Sequence, residues 1–193
     1  VVILIGMVGL GNFKLDALQH PTPAVESQRF ETALEIDKRI DERLVALRVR
    51  TGASRALVRQ FSNGSTSLVG VPWFFVQTSH FSIAEGVSMP SLERYPQSQL
   101  NHLILRVFDD MRHPTCVIDT TEAQSADPKH LAYLREHGVK AFVVCPITNS
   151  EGFPVGIIGV GTNDDEDFWT TDEETIELTR KTAKEVSLDL ELA

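Results

Sequence analysis

The stretch that most constrains this chain is Val139 to Leu192, VKAFVVCPITNSEGFPVGIIGVGTNDDEDFWTTDEETIELTRKTAKEVSLDLEL. Val139–Ile147 and Val155–Val160 are β-rich runs joined by Thr148–Pro154, where Asn149, Ser150, Gly152 and Pro154 are turn residues; the pattern predicts an antiparallel hairpin. A capped helix follows it. Thr171 is the expected N-cap and Glu174 its capping-box partner, with Asp172 and Glu173 suited to the positive end of the helix dipole. Ile176, Thr179, Ala183, Val186 and Leu190 then recur at steps of three and four, on one helical face.

The rest of the chain supplies partners for these elements. Val25 to Arg50 reads as a long charged helix whose stripe is Phe30, Ala33, Ile36 or Asp37, Ile40, Leu44 and Leu47, with Asp37/Asp41 and Arg39/Arg43 on a solvated side. It should pack on the Thr171–Leu192 helix, because neither can leave its stripe in water. Thr51-Gly52-Ala53 ends it. Arg55–Phe61 and Val71–Phe81 are the first strands, and Asn63-Gly64 is a turn signal between them. In the second strand Trp73, Phe75, Gln77 and Ser79 should face one way and Phe74, Val76, Thr78 and His80 the other, with Trp73 and Phe75 read as core. Ala84–Pro96 is a loop. Gln97–Met111 is an amphipathic helix with Leu100, Leu103, Ile104, Val107 and Met111 at the helical period, and Thr115–Asp119 is a short strand. Asp127-Pro128 opens a short helix that Gly138 ends.

The order of elements resembles a GAF domain, the small-molecule sensory module related to PAS domains, over about Glu35 to Leu192. The resemblance rests on Gly138-Val139-Lys140 entering a strand, on Pro146 closing it, on the turn into Pro154-Val155-Gly156-Ile157-Ile158-Gly159-Val160, and on Trp169-Thr170-Thr171-Asp172-Glu173-Glu174 opening the last helix. It implies an α/β fold: a central antiparallel sheet of five or six strands, the first and last helices on one face and the two shorter helices on the other. It also implies that the first and last helices pair side by side, and that in a homodimer they meet those of a second subunit. A resemblance in fold leaves the ligand open. The family's ligand position would fall between the sheet and Cys116–His137, where Asp119, Thr121 and Arg135 are the polar candidates and Phe75 a candidate aromatic wall. Arg135 could pair with an anionic ligand.

Other chemistry finds little support. The net charge is −9, from 18 basic and 27 acidic residues, and no Lys/Arg cluster stands out, which argues against nucleic acid. No pair among the six histidines has metal-ligand spacing, and the acidic run Asp164–Asp167 lacks the spacing of a calcium loop. Gly156, Gly159 and Gly161 lie in or just after a β-run and read as close sheet packing rather than a phosphate loop. Cys116 and Cys145, each in an apolar run, suit a reducing compartment and read as two buried thiols. Their placement speaks against the family's free methionine sulfoxide reductase branch, which needs a nucleophilic and a resolving thiol by the pocket. The Cys-His dipeptide common in the bilin-binding branch is absent, as is the Asn-Lys-x-x-x-Phe signature of the phosphodiesterase regulatory domains.

At the other end, residues 1–13 (VVILIGMVGLGNF) carry no charge but fall short of the ~20 apolar residues of a membrane span. They are read either as the end of a transmembrane segment or as a buried strand or plug. Residues 14–24 form a connector and 25–193 the domain. The expectation is a non-enzymatic sensory or interaction module on the cytoplasmic side, tethered if the first run is membrane-bound, with its ligand and any cofactor unassigned. The alternatives are a structural protein that keeps the fold without a ligand, and the sulfoxide reductase.

Overall fold

The computed structural model describes residues 23–66, 72–89, 92, 94–96, 101–110, 112–120, 128–163 and 173–192. In chain order the elements are α1 (Pro23–Arg50), β1 (Arg55–Thr66), β2 (Pro72–Ile83), β3 (Tyr95–Pro96), α2 (Asn101–Val107), β4 (Val117–Thr120), α3 (Pro128–Glu136), β5 (Ala141–Thr148), β6 (Pro154–Thr162) and α4 (Glu173–Glu191). The strands form one six-stranded sheet in the order β3-β2-β1-β6-β5-β4, antiparallel throughout. The apolar run 1–13, the Thr171 cap and the acidic run 164–167 lie outside the described residues.

Both helix ends read from glycine are built as expected. Gly52 and Gly138 adopt φ of 64°, a conformation that costs a Cβ-bearing residue strain. The amide one position later closes the last turn in each case: Ala53 N–H on the Arg48 carbonyl at 2.9 Å, Val139 N–H on Leu134 at 2.8 Å. At the β5–β6 turn the Asn149 side-chain oxygen accepts the Phe153 and Glu151 amides, at 2.8 and 3.2 Å.

The sheet separates two apolar layers. On one face Ile36, Ile40, Leu44 and Leu47 of α1 meet Ala183 and Val186 of α4 over Ala56, Val58, Val143, Cys145 and Ile158. On the other, α2 and α3 lay Leu103, Ile104, Val107 and Leu134 over Val76, Val117, Phe142 and Val144. The helix pair is also fixed by charge. The buried Asp189 carboxylate accepts Arg43 Nε at 2.8 Å and lies 3.5 Å from Arg39 Nε, while Arg43 Nη1 reaches Glu185 at 2.6 Å. The bond to Asp189 and the charge of Glu185 outweigh desolvation and hold Arg43 more firmly in its charged form.

Five expectations need correcting. Phe30 stands 65% exposed, so the buried stripe of α1 begins at Ile36. Asn63-Gly64 is no turn: β1 runs on to Thr66, and Asn63 pairs with Phe74. Strict alternation in β2 fails because Val58 pairs with His80 but Arg59 with Thr78, leaving Ser79 as an extra, bulged residue. His80 therefore joins Val58 on the α1 side, where its Nε2 lies 3.1 Å from Asp37 Oδ1, instead of sharing a face with Val76. Finally, the two cysteines are not free thiols. Val117 pairs with Val144, so Cys116 comes opposite Cys145 one step along the ladder, and the two are joined as a disulfide with Cα atoms 4.1 Å apart. Strands that end up adjacent bring distant residues within bonding reach, which sequence spacing does not reveal. Tyr95–Pro96, read within a loop, forms the short edge strand β3 against Val76 and Phe75.

Replacing Ile40, which is fully buried between the two helices and the sheet, by Ala should lower the unfolding free energy by ~2–5 kcal/mol. Chemical denaturation of the parent and the variant measures it; a change within error would show that α1 does not close this core.

Candidate ligand cavity

β1 builds the candidate site by its period of two. Arg55, Leu57 and Arg59 occupy alternate positions and line a cavity, while Ala56 and Val58 between them enter the α1/α4 core. The cavity has a volume of about 50 Å³. Leu103 of α2, Leu134 of α3, and Phe142 and Val144 of β5 complete its apolar wall. In the same apolar layer Phe61 meets Phe108 edge-on, with ring centroids 6.0 Å apart.

Its floor is made by missing side chains. Gly161 pairs with Arg55 and Gly159 with Leu57, and both glycines line the cavity. A Cβ on Gly161 would come within 3.4 Å of Arg55 Cγ, and one on Gly159 within 3.3 Å of Val144 Cγ2. The sequence reading of these glycines as sheet packing fits Gly156, where a Cβ would lie 2.5 Å from the Arg59 carbonyl oxygen. For Gly159 and Gly161 it is incomplete, since they also open the space above the sheet.

Both arginines are buried, Arg55 at 5% and Arg59 at 7% exposure. Arg55 Nη2 donates to the His137 carbonyl and to Asn163 Oδ1, each at 2.9 Å. Those bonds tie the end of α3 and the end of β6 to β1. A buried guanidinium is tolerated only when its donors and charge are met, and two of them border this one small cavity.

Of the residues chosen from sequence, the described side chains of Phe75 and Arg135 do not line the cavity. Phe75 lies on β2 with the Arg94 guanidinium 4.2 Å from its ring centroid, and its neighbour Val76 is the one that enters the α2/α3 layer. The aromatic wall is Phe142 instead. Arg135 is an exposed residue of α3 and does not line the cavity. Asp119 pairs with Phe142 in the β4–β5 ladder, but its side chain, like all of Thr121, is outside the described residues. Arg55 and Arg59 had a signal that went unused: two cations four apart in an apolar strand share a face, which a solvated strand edge does not require. Among the described residues no three His, Cys, Asp or Glu side chains come together as metal ligands.

A single antiparallel sheet carrying a helix pair on one face and a small cavity under short helices on the other is the architecture of α/β sensory modules. The GAF domain family model matches residues 35–190, and the chain belongs to that family. Among solved structures it is similar to the cyanobacteriochrome receptor PixJ, with 17% identity and a TM-score of 0.63 over 83% of this chain and 97% of that one. A phycocyanobilin-bound GAF domain from a cyanobacterial phytochrome is 18% identical with a TM-score of 0.61, over 86% and 90% of the two chains. The GAF domain region of a putative membrane protein from Geobacter sulfurreducens PCA is 14% identical with a TM-score of 0.64, over 86% and 99%. At these identities the likeness is one of fold. No curated protein matches the sequence significantly. Among the described residues no helix is long and apolar enough to cross a membrane.

The disulfide lies on the α1/α4 side of the sheet, where Cys145 is fully buried and Cys116 packs against the same cluster. The cavity is on the other side. Closing a loop across a sequence separation of 29 is worth ~3.5 kcal/mol in the chain-entropy model. A Cys116→Ala/Cys145→Ala variant should therefore fold with stability reduced by roughly that amount, measured by denaturant titration. Iodoacetamide should label the folded parent only after reduction, and labelling without reductant would count against the bond.

Proposed function

We propose that this chain is a non-enzymatic sensory module that takes a small molecule in the cavity between β1, β6 and the α2/α3 layer. The observation that carries the reading is the pairing of two buried arginines with apolar walls in one cavity, a few convergent polar groups in an apolar pocket being the usual make-up of a ligand site. Of the structurally similar proteins, one is a cyanobacteriochrome receptor and another a phycocyanobilin-bound domain. A bilin is a poor fit to this chain, because the cavity is about 50 Å³ against ~300–1,000 Å³ for drug-sized ligands, and the Cys-His dipeptide is absent. The sulfoxide reductase alternative is disfavoured by the sulfurs, which are joined to each other on the far side of the sheet from the cavity. Gentle native mass spectrometry of freshly purified protein should reveal a bound small molecule that is lost on unfolding. A ligand-free protein that also fails to bind anything from a small-metabolite panel would leave the purely structural alternative in its place.

A homodimer through α1 is favoured by a separate observation. Phe30, Leu34, Val45 and Val49 stand 48–65% exposed, at spacings of four, eleven and four that form a second stripe along α1. Such a stripe on a helix whose other face is already buried suits pairing with the same stripe of a second copy. Light scattering on the parent should give a dimer, and Leu34→Asp with Val45→Asp a folded monomer. An unchanged mass for the double variant would exclude this surface.

A further inference from the structure

We infer that the Cys116–Cys145 disulfide is a redox-sensitive tie: a dithiol reductant opens it in the folded protein, and its opening loosens the edge strand β4 together with the chain that joins β4 to α2. This holds whatever the cavity takes. β4 stands last in the sheet order, is four residues long, and pairs only with β5 among the described strands. Four residue pairs, from Val117 with Val144 to Thr120 with Ala141, make up that ladder, and the disulfide closes its end. β1, β6 and β5, by contrast, are each paired on both sides. A short edge element with few ladder bonds lies at the low end of local opening free energies. While the bond is intact, fraying of β4 has to stop at Cys116, which stays covalently joined to β5. Once it is broken, the opening can run on toward α2.

Burial fixes where the reductant acts. Cys145 is fully buried and Cys116 only half-buried, so an incoming thiolate meets Cys116 Sγ first. It forms a mixed disulfide there and displaces the Cys145 sulfur, which leaves with the bonding pair and takes up a proton. The second thiol of the reductant then attacks the mixed disulfide, releases Cys116 as a thiol and leaves the reductant as its own disulfide. Two electrons pass from the dithiol to the protein. The contacts of β4 show what the break releases. The Thr115 N–H donates to the Val107 carbonyl at 3.0 Å and Arg106 Nη2 to the Ile118 carbonyl at 3.3 Å, so the strand is tied to α2 as well as to β5. Val117, 7% exposed, belongs with Leu103, Ile104 and Val107 of α2 to the layer that covers the cavity. A bond on the α1/α4 side of β4 therefore secures side chains on its opposite side.

The first test is the rate at which dithiothreitol reduces the folded whole chain, followed by alkylation and mass spectrometry, with and without urea below the unfolding transition. Reduction of the folded state should quicken by less than ~threefold per molar urea; a steeper rise, toward the ~tenfold expected where the whole chain must unfold first, overturns the inference. The second is amide hydrogen exchange of the oxidised and reduced protein, read while β1 and β6 are still protected. β4 and the residues joining it to α2 should exchange at least ~tenfold faster after reduction, and recover on reoxidation with oxidised glutathione. Cys116→Ala/Cys145→Ala should match the reduced parent with no reductant present. No change in β4, or a loss of protection that β1 and β6 share from the outset, rules the device out, as does a folded variant that exchanges like the oxidised parent.

Discussion

The structure depends on the pairing of β1 with β6. This ladder joins Arg55–Gln60 to Gly156–Gly161, residues about a hundred apart in the chain, and connects the β1–β2 hairpin to the β5–β6 hairpin in one sheet. It sets α1, which precedes β1, beside α4, which follows β6, and so creates the layer in which Arg43 and Asp189 meet. It also lays Arg55 and Leu57 beside the bare positions of Gly161 and Gly159. Close approach of the two backbones is possible because Gly156 carries no side chain: a Cβ there would collide with the Arg59 carbonyl. A long-range antiparallel pairing must overcome a large loop-closure entropy, and the two apolar layers that it brings together supply the compensation.

Much of this architecture was legible because it is written in periodicity and punctuation. The stripe through Ile36, Ile40, Leu44 and Leu47 and the stripe through Thr179, Ala183 and Val186 are the buried faces of α1 and α4. Gly52 and Gly138 end helices where predicted, and Asn149 organises the hairpin turn. The errors arise where a tertiary partner overrides a local signal. Asn63-Gly64 has the composition of a tight turn, yet pairing with β2 carries the strand through it. Ser79 looks like any residue of an alternating strand, and only the register of β1 against β2 makes it a bulge that turns His80 toward α1. Cys116 and Cys145 gave no indication of partnership, because the bond depends on which strands become neighbours.

The cavity was the least legible part, for a physical reason. Family resemblance directs attention to the segment Cys116–His137, whereas among the described residues the polar side chains that line the cavity come from β1, far earlier in the chain. The spacing of Arg55 and Arg59 puts them on one face of β1 but does not say whether that face is covered. Their burial is decided by α2 and α3 closing over them and by the glycines of β6 making room beside them, and neither fact is present in the local sequence. Phe75 was selected for its aromatic ring alone, but the pleat gives the inner position to its neighbour Val76.

The alternation of β1 has a mechanical consequence. Arg55, Leu57 and Arg59 border the cavity, and Ala56 and Val58, inserted between them, are sealed into the layer beneath α1 and α4. The partition between the two compartments of this molecule is therefore one peptide unit thick. A rotation of that backbone by a few degrees displaces side chains on both sides at once and in opposite senses, and close-packed neighbours on each side have to yield or resist together. The two sides are coupled by the covalent geometry of the strand itself, with no chain of intermediate residues between them.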